Sequence, residues 1–132
     1  MSEENVERVL AAHESFNRGD LEATVAFFHP DAVWIPYLAG LEGREFRGHA
    51  ALVDMWRDLR QNYPGFEIDP QEVIDGGDRM VVVVEARTSE PRSGVEVRQK
   101  WAQLMSMRDD LIERVEPFPT REAALEAAGL SE

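Results

Sequence analysis

Four consecutive valines, Val81 to Val84, lie inside the segment MVVVVEART (80–88) and constrain the fold of this chain more than any other feature. β-Branched side chains favour extended backbone. An unbroken apolar run, in place of alternation, predicts a strand covered on both faces. Such a strand needs neighbours, and the flanking sequence supplies them. Phe66 to Ile74 is extended and is separated from the valines by DGGDR, a strong turn signal. SEPRSG turns the chain again into a long strand from Val95 to Met107, and RDD makes a tight turn into Leu111 to Phe118. The second half of the chain therefore reads as a four-strand antiparallel run.

The first half reads as helices around one strand. Val6, Val9, Leu10, His13 and Phe16 recur at helical spacing, with Ser2 as a cap, Glu3 and Glu4 at the positive end, and Gly19 as the stop. Asp20 caps a shorter helix lined by Leu21, Val25 and Phe28. Pro30 disfavours helical geometry at His29, which predicts that this helix stops there, with Asp31 turning the chain. Ala32 to Tyr37 reads as a strand, LAGLEGREFRG (38–48) as a loop, and His49 to Asn62 as a third helix facing inward through Leu52, Trp56 and Leu59. Thr120 caps a closing helix through Ala128. Gly129 ends it, and Leu130 folds back on Leu125. This order predicts one α+β domain over residues 1–132. Its curved, mainly antiparallel sheet wraps around helices as a cone with an internal pocket.

Charge and composition exclude several functions. Among 132 residues the formal net charge is −12, which is unsuited to nucleic acid or to an anionic membrane surface. No apolar run approaches the ~20 residues that span a bilayer, and the acidic, charge-interrupted N-terminus is no signal peptide, so a cytoplasmic location is expected. There is no cysteine, hence no disulfide, thiol nucleophile or thiolate metal site. His29 and Asp31 of the HPD triplet are two candidate ligands where a metal needs three or four. His13 and His49 show no HxxxH or HxH spacing, so no metal or cofactor is expected. Neither a glycine-rich phosphate loop nor a nucleophile elbow is present.

Four stretches, FNRGDLEATVAFFHPDAVW, RGHAALVDMWRDL, VEVRQKWAQLMSMRDDLIERVEPF and TREAALEAAGL, taken in this order, resemble the SnoaL-like branch of the nuclear-transport-factor-two-like superfamily. The resemblance implies a cone with a pocket inside and a homodimer through the sheet's outer face. Its members include isomerases, polyketide cyclases, epoxide hydrolases, dehydratases and pure binders, so fold alone does not assign function. Ketosteroid isomerase uses a carboxylate base with an oxyanion hole of tyrosine and protonated aspartate. In a gapless comparison about NRGDL the tyrosine falls at Ala12, the base at Pro36 and the oxyanion aspartate near Trp101, so that mechanism is not expected here. A histidine frequent in SnoaL-like relatives is Gln103 in this chain, and glutamine does not transfer protons near neutral pH.

Alternation groups Trp101, Gln103, Met105 and Met107 on one strand face, and Ile112, Arg114, Glu116 and Phe118 on another. The resemblance implies that both sets look into the cone. Glu116 is then a candidate base and Arg114 a carbonyl or anion clamp beside Gln103, with Glu85 a weaker acidic candidate. Trp34, Tyr37, Trp56, Trp101 and Phe118 are expected to line the pocket, whose occupant is a small apolar or aromatic molecule. The chemistry expected of an enzyme is cofactor-free isomerisation, cyclisation or hydrolysis. The alternative is a non-catalytic binder or a dimeric interaction module.

Overall fold

The computed structural model describes residues 2–37 and 44–130. Residues 38–43 of the expected loop, and the side chain of Ser2 with its expected capping role, lie outside what is described. The elements are α1 (Ser2–Asn17), α2 (Leu21–Val25), β1 (Phe28–Trp34), β2 (Phe46–Arg47), α3 (His49–Asn62), β3 (Glu67–Asp75), β4 (Arg79–Ser89), β5 (Glu96–Arg108), β6 (Leu111–Phe118) and α4 (Arg121–Ala128). The strands form one open sheet in the order β2-β1-β6-β5-β4-β3. β1 and β6 run parallel, and every other neighbouring pair is antiparallel.

The valine run lies on β4, hydrogen-bonded on both sides by β3 and β5. Val82 and Val84 enter the main core, which α1, α2 and α3 close from the inner face. Val81 points the other way and is buried with Ala102 and Leu104 under Ala124, Leu125 and Ala128 of α4. Both faces of the strand are thus covered, as an unbroken apolar run requires. Thr120 caps α4 by accepting from the Ala123 N–H at 3.1 Å. Gly129 takes φ +73, and the Leu130 N–H returns to the Leu125 carbonyl at 2.9 Å. This closes the Schellman stop. The RDD turn is built with Asp109 and Asp110 at φ +52 and +65, the left-handed pair that matches strand twist in a two-residue hairpin.

The HPD triplet departs from expectation. Asp20 does cap α2 through the Ala23 N–H, but α2 ends at Val25, and His29, Pro30 and Asp31 lie inside β1. Phe28 sits opposite Ile112 while Val33 sits opposite Arg114, so five steps along β1 run against two along β6. That irregularity takes Pro30 out of the regular ladder, one of the placements in a sheet where a residue without an N–H is tolerated. The Asp31 N–H donates to His29 Nδ1 at 3.1 Å on the exposed side of the strand. β2 was expected as loop; its two residues pair with Val33 and Trp34.

Helix α1 is fastened to the sheet edge by one side chain. Asn17 Oδ1 accepts from the Ile68 N–H at 2.8 Å and Asn17 Nδ2 donates to the Ile68 carbonyl at 2.9 Å, imitating a strand neighbour for β3. Asn17→Ala leaves both main-chain groups of Ile68 without this partner. It is expected to cost about 1–3 kcal/mol, read as a lower urea midpoint; an unchanged midpoint would show that water replaces the amide fully.

Candidate functional site

The inner face of the sheet and the three N-terminal helices enclose an aromatic interior. Trp56 of α3 is fully buried and meets Phe28 at 5.2 Å, Trp34 at 5.7 Å and Phe16 at 6.1 Å between ring centroids, each edge-on. Tyr37 lies against Trp101 at 5.6 Å. Four of the five expected lining rings, Trp34, Tyr37, Trp56 and Trp101, therefore belong to the main core. Phe118 does not. It packs with Leu104 and Leu125 beneath α4 on the opposite face.

The same correction applies to Arg114 and Glu116. Met107 pairs with Ile112 but Ser106 pairs with Arg114, so Glu113 is an extra residue on β6. This bulge reverses the alternation that joined Ile112 to Arg114, because one inserted residue moves every later side chain to the other face. Ile112 and Val115 are inside. Arg114 and Glu116 stand opposite Ser106 and Leu104 on the outer face, where they form an ion pair at 3.5 Å. Glu85 also faces outward, beside Arg98 at 3.5 Å. The structure does not bring Gln103 together with Arg114 and Glu116.

Gln103 has a different partner. It is buried on the inner face, and its Nε2 lies 3.4 Å from His13 Nε2 and 3.8 Å from the Met105 sulfur. His13 Nδ1 lies 2.8 Å from the Val9 carbonyl. A carbonyl only accepts, so Nδ1 carries the proton of the neutral ring and Nε2 keeps a free lone pair toward Gln103. Burial holds the His13 pKa below its ordinary value; the Val9 carbonyl and the Asp69 charge oppose this more weakly. The ring is therefore a neutral acceptor in an apolar surrounding, the state a general base requires. A small cavity of about 10 Å³, bordered by His13, Phe16, Phe28, Trp34, Ile68 and Met105, adjoins it. That is room for about one water molecule. Among the described residues no three histidine or carboxylate side chains group as metal ligands would, and no helix is long and apolar enough to cross a membrane.

His13 went unrecognised in the sequence as a site residue. Its spacing from Val9 and Phe16 marked it as inward-facing, but its partner is 90 positions away.

Comparison with known proteins places this architecture. The model of the SnoaL-like domain matches residues 6–115. The chain belongs to the SnoaL-like domain family. No curated protein matches it. Among solved structures, TerC co-crystallised with polyporic acid is 28% identical with TM-score 0.77, the match covering 93% of this chain and 96% of that one. An NTF2-like protein from Burkholderia xenovorans LB400 is 25% identical with TM-score 0.73, covering 89% and 90%. A polyketide cyclase assigned as putative from Sinorhizobium meliloti, 21% identical with TM-score 0.71 over 85% and 94%, shares the fold. Within this SnoaL-like frame the His13–Gln103 pair is the titratable polar feature found buried in the interior among the described residues, in addition to the buried hydroxyl pair Ser15–Thr24 at 2.7 Å. The charged residues Arg114, Glu116 and Glu85 are outside it.

Proposed function

We propose that this SnoaL-like chain is a single-domain cytoplasmic pocket protein that takes a small apolar or aromatic molecule into its cone. Trp34, Tyr37, Trp56 and Trp101 would contact the occupant, and Gln103 and His13 would make its polar contacts. The observation that carries the reading is the buried pair itself. A histidine with its donor satisfied and its acceptor facing an amide is an expensive element for an apolar core, and it is the form that receives a proton from a bound hydroxyl or an acidic carbon. The co-crystallisation of TerC with polyporic acid supports the ligand class. Turnover, where it occurs, is cofactor-free: His13 Nε2 accepts the proton from the occupant's hydroxyl or acidic carbon, and the Gln103 amide orients the occupant by a hydrogen bond to its oxygen.

All three tryptophans lie in the core, so their fluorescence reports occupancy. Titration with polyporic acid and a panel of hydroxyaromatic compounds should give saturable quenching for at least one compound. His13→Leu and Gln103→Leu should each weaken it about ten-fold, the worth of one buried hydrogen bond. Quenching by no compound would remove the pocket reading. The placement of Arg114, Glu116 and Glu85 outside the cone favours one other reading, a non-catalytic dimeric interaction module. That reading requires a two-chain mass in solution with no ligand response.

A further inference from the structure

The outer face of the sheet carries a second depression, a polar groove of about 470 Å³ that the function above does not use. Its floor is one transverse row of the sheet. Arg47 stands opposite Val33, Val33 opposite Arg114, and Arg114 opposite Ser106, so two arginines flank a small apolar side chain. Arg108 lines the groove from the end of β5, and the bulge in β1 brings in His29 and Asp31. Three of the chain's 14 basic residues thus meet in one groove of a protein whose net charge is −12.

These charges are poorly neutralised. Arg108 reaches Glu113 at 3.7 Å and Arg114 reaches Glu116 at 3.5 Å, and all four side chains are more than a third exposed, so both pairs are weak and exchangeable. Arg47 donates to the Asp31 carbonyl at 3.3 Å and has no carboxylate partner among the described residues. Arg47 and Arg114 stand on the same face two strands apart, with Val33 of β1 between them, so one anion with two charged groups can meet both. His29 adds a donor: its Nδ1 accepts the Asp31 N–H, so the neutral ring carries its proton on Nε2. The volume falls in the range of small-molecule sites, about 300–1,000 Å³.

We propose that this groove binds a small polyanion bearing two or more carboxylate or phosphate groups, gripped by Arg47 and Arg114 across Val33 and closed at one end by Arg108. The guanidinium fork matches both groups in two-pronged fashion. Asp31 and Glu113 also line the groove, so an occupant must outcompete them, which a single negative charge does not do.

Calorimetric titration of the full chain at low salt, with citrate and with inorganic pyrophosphate as probes and glycerol as the neutral control, tests this. One site per chain is expected for at least one probe, and the preferred probe identifies carboxylate or phosphate as the group read. Arg47→Ala and Arg114→Ala, both surface changes, should each weaken binding about ten-fold or more. Asp31→Asn should tighten it, and raised salt should weaken it. The proposal is overturned if neither probe binds or if binding is equal in the arginine variants. It is also overturned if those variants change the chain's oligomeric mass while no anion binds, which would make the groove a contact between copies.

Discussion

Trp56→Ala is expected to lower stability by about 3–5 kcal/mol, measured by urea denaturation at neutral pH. The ring has no exposed surface and joins Phe16, Phe28 and Trp34 at its edges. Its removal therefore deletes the common neighbour of three aromatic side chains drawn from α1 and β1. Those rings are held by backbone on different elements, so the space does not collapse cheaply, and the cavity term adds to the lost transfer energy. A domain of ordinary stability, about 5–15 kcal/mol, would keep only part of its margin. Trp56→Phe separates packing from polarity. The indole Nε1–H has no hydrogen-bond partner among the described residues, so no bond is broken when it goes. The phenylalanine variant should lose well under half of what the alanine variant loses. An equal loss in both would mean that the indole nitrogen holds a bond essential to the core.

The fold was legible where a single stretch carried its own cause. The His49 start and Asn62 end of α3, the limits of β6, the Schellman stop at Gly129 and the doubly covered valines are each set by local pattern. The site was less legible because facing depends on register, and register depends on a partner strand. The alternation Ile112, Arg114, Glu116, Phe118 is correct only without a bulge. One extra residue at Glu113, visible only against Ser106 and Met107, sent three of the four side chains outside. HPD failed for the same reason. Proline before a strand reads as a helix stop, and its placement within β1 follows from the slipped pairing with β6. Gln103 was placed on the correct face, but its neighbour is a helical histidine near the other end of the chain. No spacing rule connects the two.

The wild-type protein should lose stability between pH 7.5 and pH 5.5 that His13→Gln does not lose. The sign follows from the direction of the shift. Burial holds the His13 pKa in the folded protein below the 6.5 of the free side chain, so the unfolded chain takes up a proton that the folded chain refuses. As pH falls through 6.5 protons pull the equilibrium toward the unfolded state, and the loss continues until the folded pKa is reached. One proton contributes at most about 1.4 kcal/mol per pH unit. Carboxylates titrate mainly below this window, and glutamine at position 13 can still donate to the Val9 carbonyl while having no proton to gain. Urea midpoints of both proteins at the two pH values check the prediction, and parallel declines would show that His13 is charged or solvated in the fold. The same experiment bears on function, because an imidazole whose protonation is opposed by burial remains an acceptor to a lower pH than an exposed one. Any proton transfer through Nε2 should then persist to a lower pH than an exposed histidine would permit, falling only when the folded ring finally titrates.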